Sequence, residues 1–335
     1  MKKYIIVIMI IVLSFGVISF GEGPDLQKVG YVHDDVDGSF NVMTRDGLER
    51  ADGDFEFITN EYICESYEEY NDKVDLAAQE NDMVILVGFL FGEALVEVAP
   101  NYPDVKFVSL DFVGYEDEEL NIVSNSHAYT FKEHEGSFLV GILAALESKN
   151  DEMGFVGGMD FYLINKFECG FTAGVKTINN KANVHVDYAD AFNDMYRGFC
   201  FATKQHELMN ADVIYHAAGG TGTGVIESAE MLDYWAIGVD CDQSGQSLDH
   251  VLCSMIKKVD TAAYLAVESL IDNVFEGGAG NVLGIAEDGV DYSDGAGNVR
   301  KRYIKMVDEY KQKISDEEIV VPENYDELES YLEGL

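Results

Sequence analysis

The sequence predicts an α/β chain folded as two doubly wound parallel-sheet lobes. Three observations carry that expectation. Short, continuous apolar runs alternate with segments of helical spacing, the pattern of strands buried on both faces of a parallel sheet. The rhythm starts again near the middle of the chain, which is long enough for two domains of ordinary size. No long linker separates the halves, so the lobes are expected to be joined by several chain crossings.

In the first half, 28–33 reads as a buried strand and 41–51 as a helix with Leu48 and Ala51 on its apolar face. A second strand is expected at 55–59, a helix at 67–79, a strand at 83–87 and a helix at 92–99. Pro100 and Pro103 end that helix, and 106–111 is a fourth strand. The second half opens with a long helix at 131–146. Strands follow at 153–156, 184–188, 213–217 and 235–239, with helices at 164–176, 196–209 and 225–232 between them. After a strand at 251–254 comes a helix at 259–275. Gly277, Gly278 and Gly280 then read as a loop, and 306–313 suits a helix in an acidic terminal segment. The expected division is 28–126 plus about 254–282 for one lobe, and 127–253 plus about 283–335 for the other.

The start of the chain sets the compartment. Lys2 and Lys3 precede an apolar run from Tyr4 to Phe20, and Ser19 and Gly21 are small residues before Glu22. That order is the pattern of a secretory signal, here 1–21, so the protein is expected to be exported to a periplasmic or other extracytoplasmic space. An uncleaved anchor is the alternative, since the run approaches the lower limit of about 17 residues for a membrane span. No cysteine lies near the cut, so no lipid anchor is expected.

The chain carries 62 acidic against 22 Lys and Arg residues, a net charge of −40. With no basic cluster, nucleic acid and anionic lipid are poor partners. The charge itself reads as solubility and mutual repulsion. The five cysteines, Cys64, Cys169, Cys200, Cys241 and Cys253, show no CxxC or Cys/His spacing and read mostly as buried small hydrophobes.

In open α/β sheets, ligands bind beyond the carboxyl ends of the strands. That rule nominates His33 to Asn41, Gly88 and Phe89, Asp111, Gly157 to Asp160, Asp190 to Asp194, Gly219 to Thr223 and Asp240 to Gln243. Gly219-Gly220-Thr221-Gly222 lacks the Lys-Ser/Thr pair of a P-loop, although it opens a helix whose N–H groups suit a ligand oxygen. Asp35, Asp37 and Ser39 have a calcium-loop flavour, but Gly38 is misplaced and no Glu follows at the required distance. No nucleophile elbow, metalloprotease helix or metal spacing appears. No cofactor, metal or catalytic residue is expected.

Several segments together resemble the basic membrane protein family of ABC-transporter substrate-binding proteins, which includes purine nucleoside receptors. They are Asp37-Gly38-Ser39-Phe40-Asn41, Gly88-Phe89-Leu90-Phe91, Glu135-Gly136-Ser137-Phe138-Leu139-Val140-Gly141 and Gly154-Phe155-Val156-Gly157-Gly158-Met159. Phe167-Glu168-Cys169-Gly170-Phe171-Thr172-Ala173-Gly174, Ala217-Ala218-Gly219-Gly220-Thr221-Gly222 and Ile237-Gly238-Val239-Asp240-Cys241-Asp242-Gln243 follow, then Ser254-Met255-Ile256-Lys257. The ordered set spans nearly the whole chain after the apolar start.

The resemblance implies a type I periplasmic-binding-protein fold with a multi-crossing hinge, a nucleoside enclosed between the lobes, an ABC permease as partner and a monomeric binding protein that performs no reaction. Matched position by position, Phe40 and Phe192 would lie on the two faces of the base. Asp34, Asn41 and Asp111 would be near its polar edge. Asp240 and Lys257 would hold ribose hydroxyls, with a backbone N–H near Gly220 assisting. A sensor or a sugar-binding protein of the same fold is the alternative function.

Overall fold

A computed structural model describes residues 26–34, 38–115 and 120–335. The apolar start and its expected cut, and Asp35 and Asp37 of the calcium-like triplet, lie outside the described residues.

The first lobe is built from β1 (Lys28–Asp34), α1 (Gly38–Asp54), β2 (Ile58–Cys64), α2 (Tyr70–Glu80), β3 (Met83–Val87), α3 (Gly92–Val98), β4 (Lys106–Leu110) and β5 (Ser126–Phe131). The chain then crosses and builds α4 (Glu133–Glu147), β6 (Glu152–Gly157), α5 (Tyr162–Ile178), β7 (Asn183–Tyr188), α6 (Met195–Met209), β8 (Val213–Ala217), α7 (Thr221–Leu232), β9 (Trp235–Gly238) and β10 (Val251–Lys257). It returns to the first lobe for α8 (Val259–Ile271), which packs on α1, and β11 (Ala279–Leu283). It crosses a third time for β12 (Val290–Tyr292), α9 (Lys301–Ser315) and α10 (Tyr325–Glu333).

Each lobe holds a six-stranded sheet, in the orders β11-β5-β4-β3-β1-β2 and β12-β10-β9-β8-β6-β7. All pairings are parallel except β12, which runs antiparallel to β10 at the edge. The lobes are thus the two similar doubly wound units expected. In each, the order reverses beside the first strand, and this opens a crevice at the carboxyl ends.

Central strands match the sequence pattern closely because they are buried on both faces. Every residue of β3 and β8 is buried, and each reads as an unbroken apolar run apart from His216. Edge strands are where the pattern misleads. β2 occupies 58–64 rather than 55–59, because this edge strand exposes Thr59 and Glu61 on one face and carries the polar Asn60 on the other, so no apolar run marks it. The glycine-rich stretch around Gly280, expected as a loop, is the edge strand β11, held by five parallel residue pairs to β5. β5 was hidden in the same way: Ser126 and His127 look polar but are buried by partners, His127 Nδ1 meeting the Glu276 carbonyl at 2.8 Å.

These strands move the expected crossings by a few residues. β5 pairs with β4, so residues 127–131 lie in the first sheet and the chain crosses at Lys132. β10 pairs with β9, so residues 254–257 lie in the second sheet and the chain crosses at Lys258. The strands run to their carboxyl ends before leaving the sheet, since stopping earlier would leave ladder groups unpaired. The crossings are tied together. Lys132 N donates to the Leu283 carbonyl at 3.0 Å and Lys258 N to the Gly289 carbonyl at 2.8 Å. The Glu135 carboxylate accepts from Ile285 N at 2.8 Å.

Helices α4 and α5 form the most extensive helix contact in the second lobe. Their backbones meet at glycines: a Cβ on Gly141 would lie 2.3 Å from the Phe171 carbonyl oxygen, and one on Gly170 2.1 Å from that of His134. This close approach brings the first turn of α4 against the first half of α5, beneath the crossings. Cys64, Cys169 and Cys253 are buried as expected, while Cys200 is exposed and Cys241 half-buried; all five are free thiols.

Candidate functional site

The carboxyl ends of the two sheets enclose one cavity between the lobes, with about 830 Å³ of empty space including its open mouth. From the first lobe, Asp34 ends β1, Phe40 and Asn41 open α1, Gly88 and Phe89 follow β3, and Asp111 follows β4. From the second come Phe167 on α5, Phe192 after β7, Ala217 to Gly219 after β8, Asp240 after β9 and Lys257 at the end of β10.

The turns that aim these groups share a backbone device. Asp111 (φ 74°), Asp240 (φ 67°), Gly88 (φ 96°) and Gly219 (φ 52°) all sit just past a strand with positive φ. Aspartate tolerates this region better than most residues, glycine without penalty. Left-handed residues at strand ends reverse the chain at once, and at Asp111 and Asp240 they leave a carboxylate at the cavity wall. Backbone of this kind persists where surroundings enforce it and concentrates at binding sites.

Lys257 is the electrostatic centre. Its Nζ lies 2.9 and 3.0 Å from the two carboxylate oxygens of Asp111 and 3.3 Å from Glu133 Oε1. The rings of Phe167, Phe40 and Phe131 surround it, with centroids 5.1, 5.4 and 5.6 Å away, within cation–π range. Burial alone would pull this ammonium's pKa down, but Asp111, Glu133 and Asp240 overcome that and raise it above the ordinary lysine value. Burial, with Glu133 adding to it, raises Asp111 despite the opposing lysine. Glu133 is held below its ordinary value, because Lys257 and Lys166 together outweigh its burial. Lys166 Nζ completes the cluster, 3.1 Å from Glu133 Oε2 and 3.1 Å from the Phe131 carbonyl.

At the other side, the Asp34 carboxylate accepts a hydrogen bond from the Tyr70 hydroxyl, and Asn41 Nδ2 donates to the Asp34 carbonyl. Asn41 therefore fastens the start of α1 to the end of β1 and also lines the cavity. Phe192 rests over Gly158, where a Cβ would come within 2.2 Å of its ring. Phe89 reaches across from the first lobe and packs on Phe161 and Phe192, at centroid distances of 5.6 and 5.7 Å.

Seven of the eight residues proposed from sequence, Asp34, Phe40, Asn41, Asp111, Phe192, Asp240 and Lys257, line this one cavity. Gly220 does not. It precedes the first turn of α7, where the N–H groups of Thr221, Gly222 and Thr223 are taken by the carbonyls of Phe192, Gly219 and Gly220. Gly219 lines the cavity in its place, so the glycine run acts as a tight turn. Among the other nominated stretches, His33 is instead buried against Glu61 at 3.0 Å. Sequence reasoning missed Glu133, which meets Lys257 where α4 packs on β10, Lys166, which meets Glu133 across α4 and α5, and Leu163, Ile164 and Phe167 on α5. The one available signal was a Glu, His and Lys set amid apolar helical sequence. Among the described residues no group of His, Cys, Asp and Glu is placed to hold a metal ion.

Two parallel-sheet lobes, crossed three times by the chain and lining one cavity between them, define a two-lobed solute-binding protein. The chain belongs to the Bmp family: the family model described as ABC transporter substrate-binding protein PnrA-like matches residues 27–325. It is 36% identical over 313 residues to the CD4+ T-cell-stimulating antigen of Listeria monocytogenes, covering 86% of this chain and 85% of that one. It is 31% identical over 317 residues to basic membrane protein A of Borreliella burgdorferi, covering 92% of each. Among solved structures, an ABC transporter system solute-binding protein from Aeropyrum pernix K1 superposes with a TM-score of 0.77 at 26% identity, over 92% of this chain and 98% of that one. A second, from Conexibacter woesei, shares the fold at 20% identity with a TM-score of 0.71, over 89% and 99%. No helix among the described residues is long and apolar enough to cross a membrane.

Proposed function

We propose that the protein captures a nucleoside, a purine nucleoside foremost, in the interlobe cavity outside the cytoplasm and delivers it to an ABC permease. The observation that carries this reading is the pairing of two chemistries in one cavity. Aromatic rings, Phe40, Phe89 and Phe192, line it together with a buried charged cluster of Asp111, Lys257 and Asp240. A planar base gains from the rings, by about 0.5–1.5 kcal/mol per aromatic pair beyond area burial. A vicinal diol needs both acceptors and donors when it leaves water, and carboxylates beside an ammonium supply both. Asp34 and Asn41 give the base edge polar partners. No reaction is assigned to the site.

Calorimetry with inosine, guanosine, adenosine, ribose and hypoxanthine tests the reading. Nucleosides are expected to bind far more tightly than the free base or sugar. Equal affinity for hypoxanthine and inosine would remove the ribose contacts, and tight binding of ribose alone would make the site a sugar site. Mass spectrometry of any molecule that co-purifies gives an independent answer. The same method on the intact protein should find a mature start near Glu22 with no acyl chain.

A further inference from the structure

The cavity's charged cluster extends behind its wall. Glu133 and Lys166 do not line the cavity, yet both are at least nine-tenths buried and both belong to the group around Lys257. Their positions in the fold explain why they matter. Glu133 is the first residue of α4, immediately after the Lys132 crossing. Lys257 is the last residue of β10, immediately before the Lys258 crossing. Lys166, on α5, donates both to Glu133 and to the carbonyl of Phe131, the last residue before the first crossing. Asp111 approaches Lys257 from the first lobe. Two crossings and both lobes are therefore joined through one ammonium.

We propose that Glu133, backed by Lys166, is a positioning residue that holds the Lys257 ammonium at the cavity wall and so couples the hinge to ligand affinity. A lysine side chain has four rotatable bonds, and one partner leaves much of that freedom. Glu133 supplies a second carboxylate contact beside Asp111, from the second lobe. Lys166 in turn keeps Glu133 ionised and aimed, with one carboxylate oxygen toward each lysine. The charges facing this group are Asp111 on the first lobe, Asp240 after β9, and Lys166 on α5. The neighbouring His134 is held neutral by its burial. Rotation of the lobes moves Asp111, on the first lobe, against Lys257 and Glu133, on the second, and so changes the position of a ligand contact, which is the requirement for coupling.

Competitive acetylation of the ligand-free protein, read by mass spectrometry on the Lys257 peptide through the alkaline range, reports the titration of that amine. Glu133→Gln removes a facing negative charge and should move the midpoint down. Lys166→Met removes a like charge and should move it up. General loosening of the hinge would move both in the same direction, and that outcome, or no shift in Glu133→Gln, overturns the proposal. The second arm rests on the nucleoside reading. Glu133→Gln should weaken inosine binding roughly threefold to thirtyfold, the scale on which residues outside a site alter its affinity. In a Lys257→Met background the same change should have no further effect, whereas additive losses would place the action of Glu133 elsewhere. If the wild type binds no nucleoside, the reading of the ligand fails while the acetylation arm still decides the role of Glu133.

Discussion

Lys257 and Asp111 lie 146 positions apart in the chain, on different lobes, and meet in a two-pronged contact of 2.9 and 3.0 Å with both side chains buried. Isolated buried charges are costly, and removing one partner leaves the other uncompensated. The contact therefore fastens the first lobe to the last residue of β10, at the cavity.

The first prediction is that Lys257→Met and Asp111→Asn each lower stability by about 3–5 kcal/mol, the scale for breaking a buried ion pair. Urea unfolding of both variants and of the double variant checks it. Because the two residues share one interaction, the double variant should lose clearly less than the sum. A loss within ~0.5 kcal/mol for Lys257→Met, the range of ordinary surface changes, would mean the buried cluster is not formed in solution.

Phe89 spans the mouth, touching Phe161 and Phe192 of the other lobe. Phe89→Ala removes both contacts. At about 0.5–1.5 kcal/mol for each aromatic pair, ligand release should quicken roughly fivefold to a hundredfold, with association changed little. Stopped-flow fluorescence resolves the two rates. A slowed association with unchanged release would show that Phe89 shapes the open form instead.

The proposed sugar contacts predict a further split. Asp240→Asn keeps the size of the side chain but replaces an acceptor-only group by an amide. Inosine binding should weaken by about 1–3 kcal/mol, the cost of a buried hydroxyl left without its partner, while hypoxanthine binding changes little. Parallel losses for both would place Asp240 at the base.

Acid should weaken the fold in a defined window. His134 and His216 are buried, and burial lowers both imidazoles from 6.5 to about 4. The unfolded chain takes up protons on these groups as pH falls below 6.5, while the folded chain stays neutral until about 4. Stability is therefore lost as pH falls through that window, by on the order of 3 kcal/mol for each histidine. Glu133, with its pKa lowered, adds a loss further down, below its ordinary value. Urea midpoints measured across pH check this, and His216→Gln should shallow the slope. Asp111, raised by burial to about 6, takes up its proton first in the folded chain and offsets part of this loss, so the decisive comparison is wild type against His216→Gln: identical slopes would mean that this histidine is solvated.

The net charge of −40 predicts that added salt stabilises the fold. Screening relieves repulsion between surface carboxylates much more than it weakens buried pairs such as Asp111 and Lys257. The urea midpoint should rise from low to moderate potassium chloride. A falling midpoint would show that exposed pairs such as Arg50–Asp260 and Arg45–Glu61 dominate the surface.

Much of this protein was legible in its residues because burial on two faces writes itself into composition. The strands Met83–Val87 and Val213–Ala217 stand out as apolar runs, and the residues just beyond such strands, Asp111, Asp240 and Gly88, could be placed at a cleft by topology. The motif resemblance added Lys257, which topology alone leaves unmarked, and singled out Phe40 and Phe192 within stretches that topology nominates. The tertiary structure decided what depends on neighbours distant in sequence. β2 and β11 are strands because a partner edge pairs with them, although one face stays polar or glycine-rich. Glu133 meets Lys257 because α4 packs on β10, and Lys166 meets Glu133 because glycines let α4 and α5 approach closely. Local sequence records the environment a residue needs, but the partner that supplies it is chosen only when the chain folds back on itself.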